Sequence, residues 1–237
     1  MRSKVRILGG LVGAVVLMLT VPGMVHALSW QVNDSLSISV VSETEVYSGL
    51  GGYGGLFRIY NQRTQETLFT FCVELDEFTT YAKYVEDISD DIAMAGGRNT
   101  DHGDQLGGPT KWLFSRYLAG DPNYSDPRAL QLAIWYLEEE YVNISGVTTL
   151  EQWKAWYAHE TGEIELAERA VSYIEAAIQY PNFSAPYIRV LDTDDAWNGR
   201  GNWGQSYIFV PEPATVGMLG LGLIGFAVAA RRLRRRG

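Results

Sequence analysis

Thr67-Leu68-Phe69-Thr70-Phe71-Cys72-Val73-Glu74-Leu75 reads as a β-strand and carries the only cysteine of the 237-residue chain. β-Branched and aromatic side chains favour a pleated, half-buried surface. On that pleat Leu68, Thr70, Cys72 and Glu74 share one face, and Phe69, Phe71, Val73 and Leu75 share the other. Upstream, Leu36-Ser-Ile38-Ser-Val40 alternates apolar and polar residues, and Leu56 to Tyr60 is strand-like. Gly49 to Gly55 sits between these two. It has the spacing of a dinucleotide fingerprint but leads into a strand, not a helix, so it reads as a hairpin loop.

Downstream the period changes from two to 3.6. Pro109 suits a first helical position, with Trp112, Leu113, Tyr117 and Leu118 forming an apolar face up to Gly120. Asp126-Pro127 is an N-cap followed by proline, opening a helix to about Glu140 with Leu130, Ala133, Ile134, Leu137 and Tyr141 at helical spacing. Thr149 with Gln152 makes a capping box for a third helix through Tyr157. Glu163 to Tyr180 forms a fourth, with Ile164, Ala167, Ala170, Val171, Ile174 and Ile178 inward. Tyr187 to Leu191 and Ser206 to Val210 return to strand, separated by the turn-rich Asp192 to Gly204. The expected fold is α+β: an antiparallel β-sheet or barrel formed by the N- and C-terminal strands, with an inserted block of about four helices.

Both ends read as addresses. Arg2, Lys4 and Arg6 precede the apolar run Ile7 to Leu19, and Val25-His26-Ala27 offers small residues where a signal peptidase reads, so residues 1–27 are expected to be a signal peptide. At the other end Pro211-Glu212-Pro213 is followed by the apolar segment 214–230 and by Arg231, Arg232, Arg234, Arg235 and Arg236. The segment is long enough to cross a hydrocarbon core, with the arginines kept on the cytoplasmic side. This order closely resembles the PEP-CTERM sorting signal of Gram-negative bacteria. The resemblance implies processing near Pro211-Glu212-Pro213 by an exosortase-type enzyme, transient membrane anchoring through the C-terminal segment, and a final place on the cell surface or in the extracellular matrix.

Residues 28–210 remain as one domain with room for a full core. The two ends carry eight of the 19 Lys and Arg and one of the 28 Asp and Glu, so this part holds 11 basic against 27 acidic side chains, a net charge of −16. Such a surface repels nucleic acid and anionic lipid. Seven tryptophans and fourteen tyrosines argue for a folded domain. The acids between Glu86 and Asp104 lack the regularity and closing glutamate of an EF-hand, so Tyr84 to Gly108 reads as a solvated loop. His102 and His159 have no second ligand at metal spacing, no serine sits in a nucleophile elbow, and Glu138, Glu139 and Glu140 read as the polar side of a helix. No metal or cofactor is expected, nor a turnover enzyme.

An exported chain with one cysteine has no internal disulfide partner for it. Cys72 is then a small buried hydrophobe, an intermolecular bridge, or a thiol with a chemical role. Phe71-Cys72-Val73 in a strand, followed by Leu130-Gln131-Leu132-Ala133-Ile134-Trp135 in a helix, resembles the two signatures of bacterial thioester domains. The resemblance implies a bond between the Cys72 sulfur and the Gln131 side-chain carbonyl, supported by Phe71, Val73, Leu130, Ile134 and Trp135, and covalent attachment to an amine-bearing surface or matrix component. The alternative is a non-covalent matrix protein that binds exopolysaccharide through aromatics such as Tyr53, Trp197 and Trp203.

Overall fold

The computed structural model describes residues 30–49, 53–75, 84–93, 103–194 and 203–211. The signal segment 1–27, Glu212, Pro213 and the apolar segment 214–230 lie outside these, as do His102 and Trp197. Ten strands run β1 (Leu36–Val40), β2 (Val46–Tyr47), β3 (Tyr53–Gly54), β4 (Phe57–Asn61), β5 (Thr67–Cys72), β6 (Val85–Ser89), β7 (Ile92–Ala93), β8 (Asp104–Gln105), β9 (Arg189–Asp194) and β10 (Trp203–Phe209). Between β8 and β9 come four helices: α1 (Gly108–Leu118), α2 (Pro127–Leu137), α3 (Leu150–Thr161) and α4 (Ile164–Ala177).

Six strands form one antiparallel sheet in the order β1-β4-β5-β10-β9-β6. The N-terminal and C-terminal strands join at its centre, where Cys72 faces Tyr207 and Phe71 faces Ile208. The sheet curls into a half-barrel, and its two edges meet at one end through a Ser35–Tyr84 bridge. Phe57, Ile59 and Asn61 point inward from β4 while Arg58 is exposed, the alternation a one-sided core demands. The fold is therefore the α+β arrangement expected, with the helical block inserted between strands of one sheet.

The helices form where their caps and apolar stripes dictate. Asp126 accepts from the backbone N–H of Arg128 and Ala129, and Pro127 opens α2. Gly162, at φ 74°, closes α3 in the left-handed conformation that suits glycine. Ala167, Ala170, Val171 and Ile174 are buried on α4, joined by Leu166, Tyr173 and Ala177, whereas Ile164 and Ile178 are exposed. On α1 the buried residues are Thr110, Trp112, Leu113 and Phe114, and Leu118 is exposed.

Leu118, Ile164 and Ile178, expected on apolar inward faces, are thus exposed, and two further expectations are corrected. The acidic stretch after Tyr84 is not a solvated loop over its described part: Val85–Ser89 is an edge strand paired with β9. Charged residues on an edge strand discourage pairing with other chains, which explains its composition. The run Glu138-Glu139-Glu140 is not a polar helix face either. Helix α2 stops at Leu137 and Glu139 turns left-handed at φ 61°. Glu138 is buried and accepts from the Gly107 N–H at 3.2 Å and from the Thr110 hydroxyl, capping α1. Glu140, also buried, accepts from the Leu75 N–H at 3.1 Å.

Candidate functional site

Strand β5 and helix α2 meet at Cys72 and Gln131, and the sheet register explains why. Strands β4 and β5 pair from Tyr60↔Thr67 to Phe57↔Thr70. Two residues further, the same register would set Gly55 opposite Cys72. There the strands part, and the Gln131 carboxamide takes the place between them. Its Nε2 donates to the Cys72 carbonyl at 2.9 Å, and its Oε1 accepts from the Cys72 N–H at 3.2 Å and the Gly55 N–H at 3.4 Å. The Cys72 thiol also donates to Oε1, at 3.4 Å. Since a carbonyl bond is about 1.2 Å long, the Gln131 carbonyl carbon lies one short bond from an atom in contact with the sulfur.

The pair is dry. Cys72 is 1 % exposed and Gln131 fully buried. Every residue of α2 from Ala129 to Trp135 is buried, so Gln131 is enclosed and does not merely flank an apolar stripe as its spacing suggests. Phe71, Val73, Leu130, Ile134 and Trp135 are all core residues. Phe71 meets Phe114 and Tyr117 edge-on, and the Trp135 Nε1 donates to the Glu74 carbonyl at 3.1 Å. Gly54 packs closely against Trp135 and Gln131. A Cβ there would stand 2.5 Å from the Trp135 ring and 2.9 Å from Gln131 Cγ, so only glycine allows this approach.

Burial pushes the Cys72 thiol well above its ordinary range, and the nearby Glu74 carboxyl adds to the effect. The resting group is a protonated thiol. Glu74 is itself a buried acid whose carboxyl is raised by desolvation, against the lowering effect of its hydrogen bonds from Ser206. Its Oε2 accepts from the Ser206 N–H at 2.7 Å and from Gln205 Nε2 at 3.0 Å, and its Oε1 has no hydrogen-bond partner among the described residues. Gln205 Nε2 also reaches the Glu74 carbonyl at 2.9 Å. Sequence reading missed Glu74, Gln205, Glu140 and Gly55. Only Glu74 left a signal, as a carboxylate on the same strand face as Cys72.

Elsewhere the candidates disperse. A groove lies at the starts of α2 and α4, where Arg128 pairs with Glu163 at 2.6 Å and Arg169 with Asp126 at 2.5 Å. A smaller aromatic pocket behind Trp135 is lined by Tyr141, Trp153, Trp156 and Tyr157 with Glu140. Among the described residues no three His, Cys, Asp or Glu side chains could hold a metal ion. In the acidic stretch Asp91 accepts from Lys111 and Gln105, and Asp90 pairs with Arg189. His159 is exposed beside Glu160. Tyr53 is 59 % exposed; of Trp203 only the backbone is described.

Comparison with protein families matches residues 209–236 to the PEP-CTERM protein-sorting motif. The match begins at Phe209, the last residue of β10, and includes Pro211, Glu212 and Pro213. It marks an exported chain addressed to an exosortase, with transient membrane anchoring before processing. Among the described residues no helix is long and apolar enough to cross a membrane. Comparison with curated proteins and with solved structures gave no match. The comparisons give no support to the resemblance to thioester domains.

Proposed function

We propose that this exosortase-addressed protein forms an internal thioester between Cys72 and Gln131 and uses it once, to attach covalently to an amine on a surface or matrix partner. The observation that carries the reading is the contact of the Cys72 sulfur with Gln131 Oε1 at 3.4 Å inside a water-excluded core. Proximity of this kind supplies much of the cost of bringing a poor acyl donor and its nucleophile together. Sγ attacks the Gln131 side-chain carbonyl carbon; the carbon–Nε2 bond breaks, and the thiol proton leaves with the nitrogen as ammonia. When an amine later attacks the same carbon, the carbon–sulfur bond breaks, a proton returns to Sγ, and an N-substituted amide remains at Gln131. No other cysteine is present to intercept the bond.

The depth of the pair keeps water from the thioester, and access for an amine requires the Gly54 segment to part from Trp135. Small nucleophiles test this. Methylamine incubated with the full chain should label Gln131 and free the Cys72 thiol in the same molecules. A chain that takes up no methylamine and whose thiol is alkylated from the start contradicts the reading. A second reading rests on Tyr53, exposed and tilted against Tyr47 at 5.2 Å: a non-covalent exopolysaccharide-binding face. It requires polysaccharide retention to survive Cys72→Ala unchanged.

A further inference from the structure

A protonated, fully enclosed thiol is a weak nucleophile, so the reactivity of this pair has to come from what surrounds the carbonyl. Two backbone donors already face Gln131 Oε1: the N–H of Cys72 at 3.2 Å and the N–H of Gly55 at 3.4 Å. We propose that these two N–H groups form an oxyanion hole, used once when the thioester forms and again when an amine opens it. The proposal rests on the acyl reading above and adds the groups that lower its barrier.

The geometry favours this role in three ways. As Sγ bonds to the carbonyl carbon, the carbon becomes tetrahedral and the negative charge collects on Oε1, the atom both donors face. Fixed donors in a dry site stabilise such charge without reorganising. Their present lengths leave room to shorten as charge develops. Nε2 is meanwhile held by the Cys72 carbonyl at 2.9 Å. A carboxamide rotated by half a turn would set NH2 against two N–H groups and oxygen against oxygen, so the Cys72 main chain and the Gly55 N–H fix the carbonyl oxygen toward the two donors.

The hole exists because residues 54 and 55 lack side chains. Gly55 sits at φ 130°, where a Cβ would meet the Thr44 carbonyl oxygen at 2.3 Å, and Gly54 lies directly over Gln131 Cγ. Thr44 Oγ1 accepts from the Leu56 N–H at 2.9 Å and holds the segment next to the donor. A glutamine that only fills a gap between parting strands accounts for the hydrogen bonds but gives the N–H of Gly55 no effect on a reaction rate.

The test removes that one hydrogen. Glycolic acid placed at position 55 by nonsense suppression turns the 54–55 amide into an ester, without the N–H and without a new side chain. The full chain is purified in denaturant and refolded, and the fraction lighter by one ammonia is followed by intact mass. The ester chain should fold, by near-ultraviolet circular dichroism, and lose ammonia about 10²-fold more slowly than the all-amide chain. Equal rates overturn the proposal. An all-amide chain that never loses ammonia overturns the acyl reading itself, which separates the two failures.

Discussion

Gln131 stands beside Cys72 as a neighbouring strand would, giving Nε2–H to its carbonyl at 2.9 Å and taking its N–H on Oε1 at 3.2 Å. This makes Gln131 a structural residue whether or not chemistry follows. In the Cys72→Ala background, where no thioester forms and the carboxamide is kept, Gln131→Ala leaves the N–H and carbonyl of position 72 and the Gly55 N–H without that partner. At about 1–3 kcal/mol for each buried group left unmade, the loss should reach roughly 3 kcal/mol or more in urea unfolding.

Glu138 and Glu139 are adjacent in sequence and opposite in consequence. Glu138→Ala removes the buried acceptor for Gly107 and Thr110 at the start of α1 and should lower stability by about 2 kcal/mol. Glu139→Gly relieves a left-handed residue and should raise stability by up to about 1 kcal/mol. Thermal melts of the two variants check the contrast.

Glu74 should make the domain more stable in mild acid than at neutral pH. Its folded carboxyl is raised above the ordinary 4.5, so the unfolded chain ionises first as pH rises, and folded-state stability falls from about 4.5 upward until the folded group ionises too. Asp34 and Asp91 work in the other direction. Arg63, Asn61 and Gln31 outweigh burial at Asp34, and Gln105 and Lys111 lower Asp91, so their contribution is lost only as pH falls below about 3.8. Melting midpoints should therefore be higher near about pH 5 than about pH 7.5, and Glu74→Gln should flatten that slope. An unchanged slope in the variant contradicts the assignment.

Period and punctuation carried most of the architecture. Asp126-Pro127, Thr149 with Gln152, and the alternation through β1 and β4 are local signals, and local signals fix elements. What escaped depends on distant partners. Val85–Ser89 becomes a strand only because β9 lies beside it about a hundred residues later, so its acids read as a loop. Glu138 and Glu140 read as a solvated face because their acceptor roles belong to Gly107, Thr110 and Leu75. Around Cys72 the residue types were legible through a resemblance, but the parting of β4 from β5 that seats Gln131 was not. Gly55 gave no sign of its N–H contact, since nothing in a glycine-rich turn says where its backbone points.

The intact mass of the full chain reports directly whether Cys72 and Gln131 are joined. A joined pair gives a mass one ammonia below that of the sequence from the observed N-terminus, with the deficit abolished by either Cys72→Ala or Gln131→Ala. A full sequence mass together with a freely alkylated Cys72 in the native chain contradicts it.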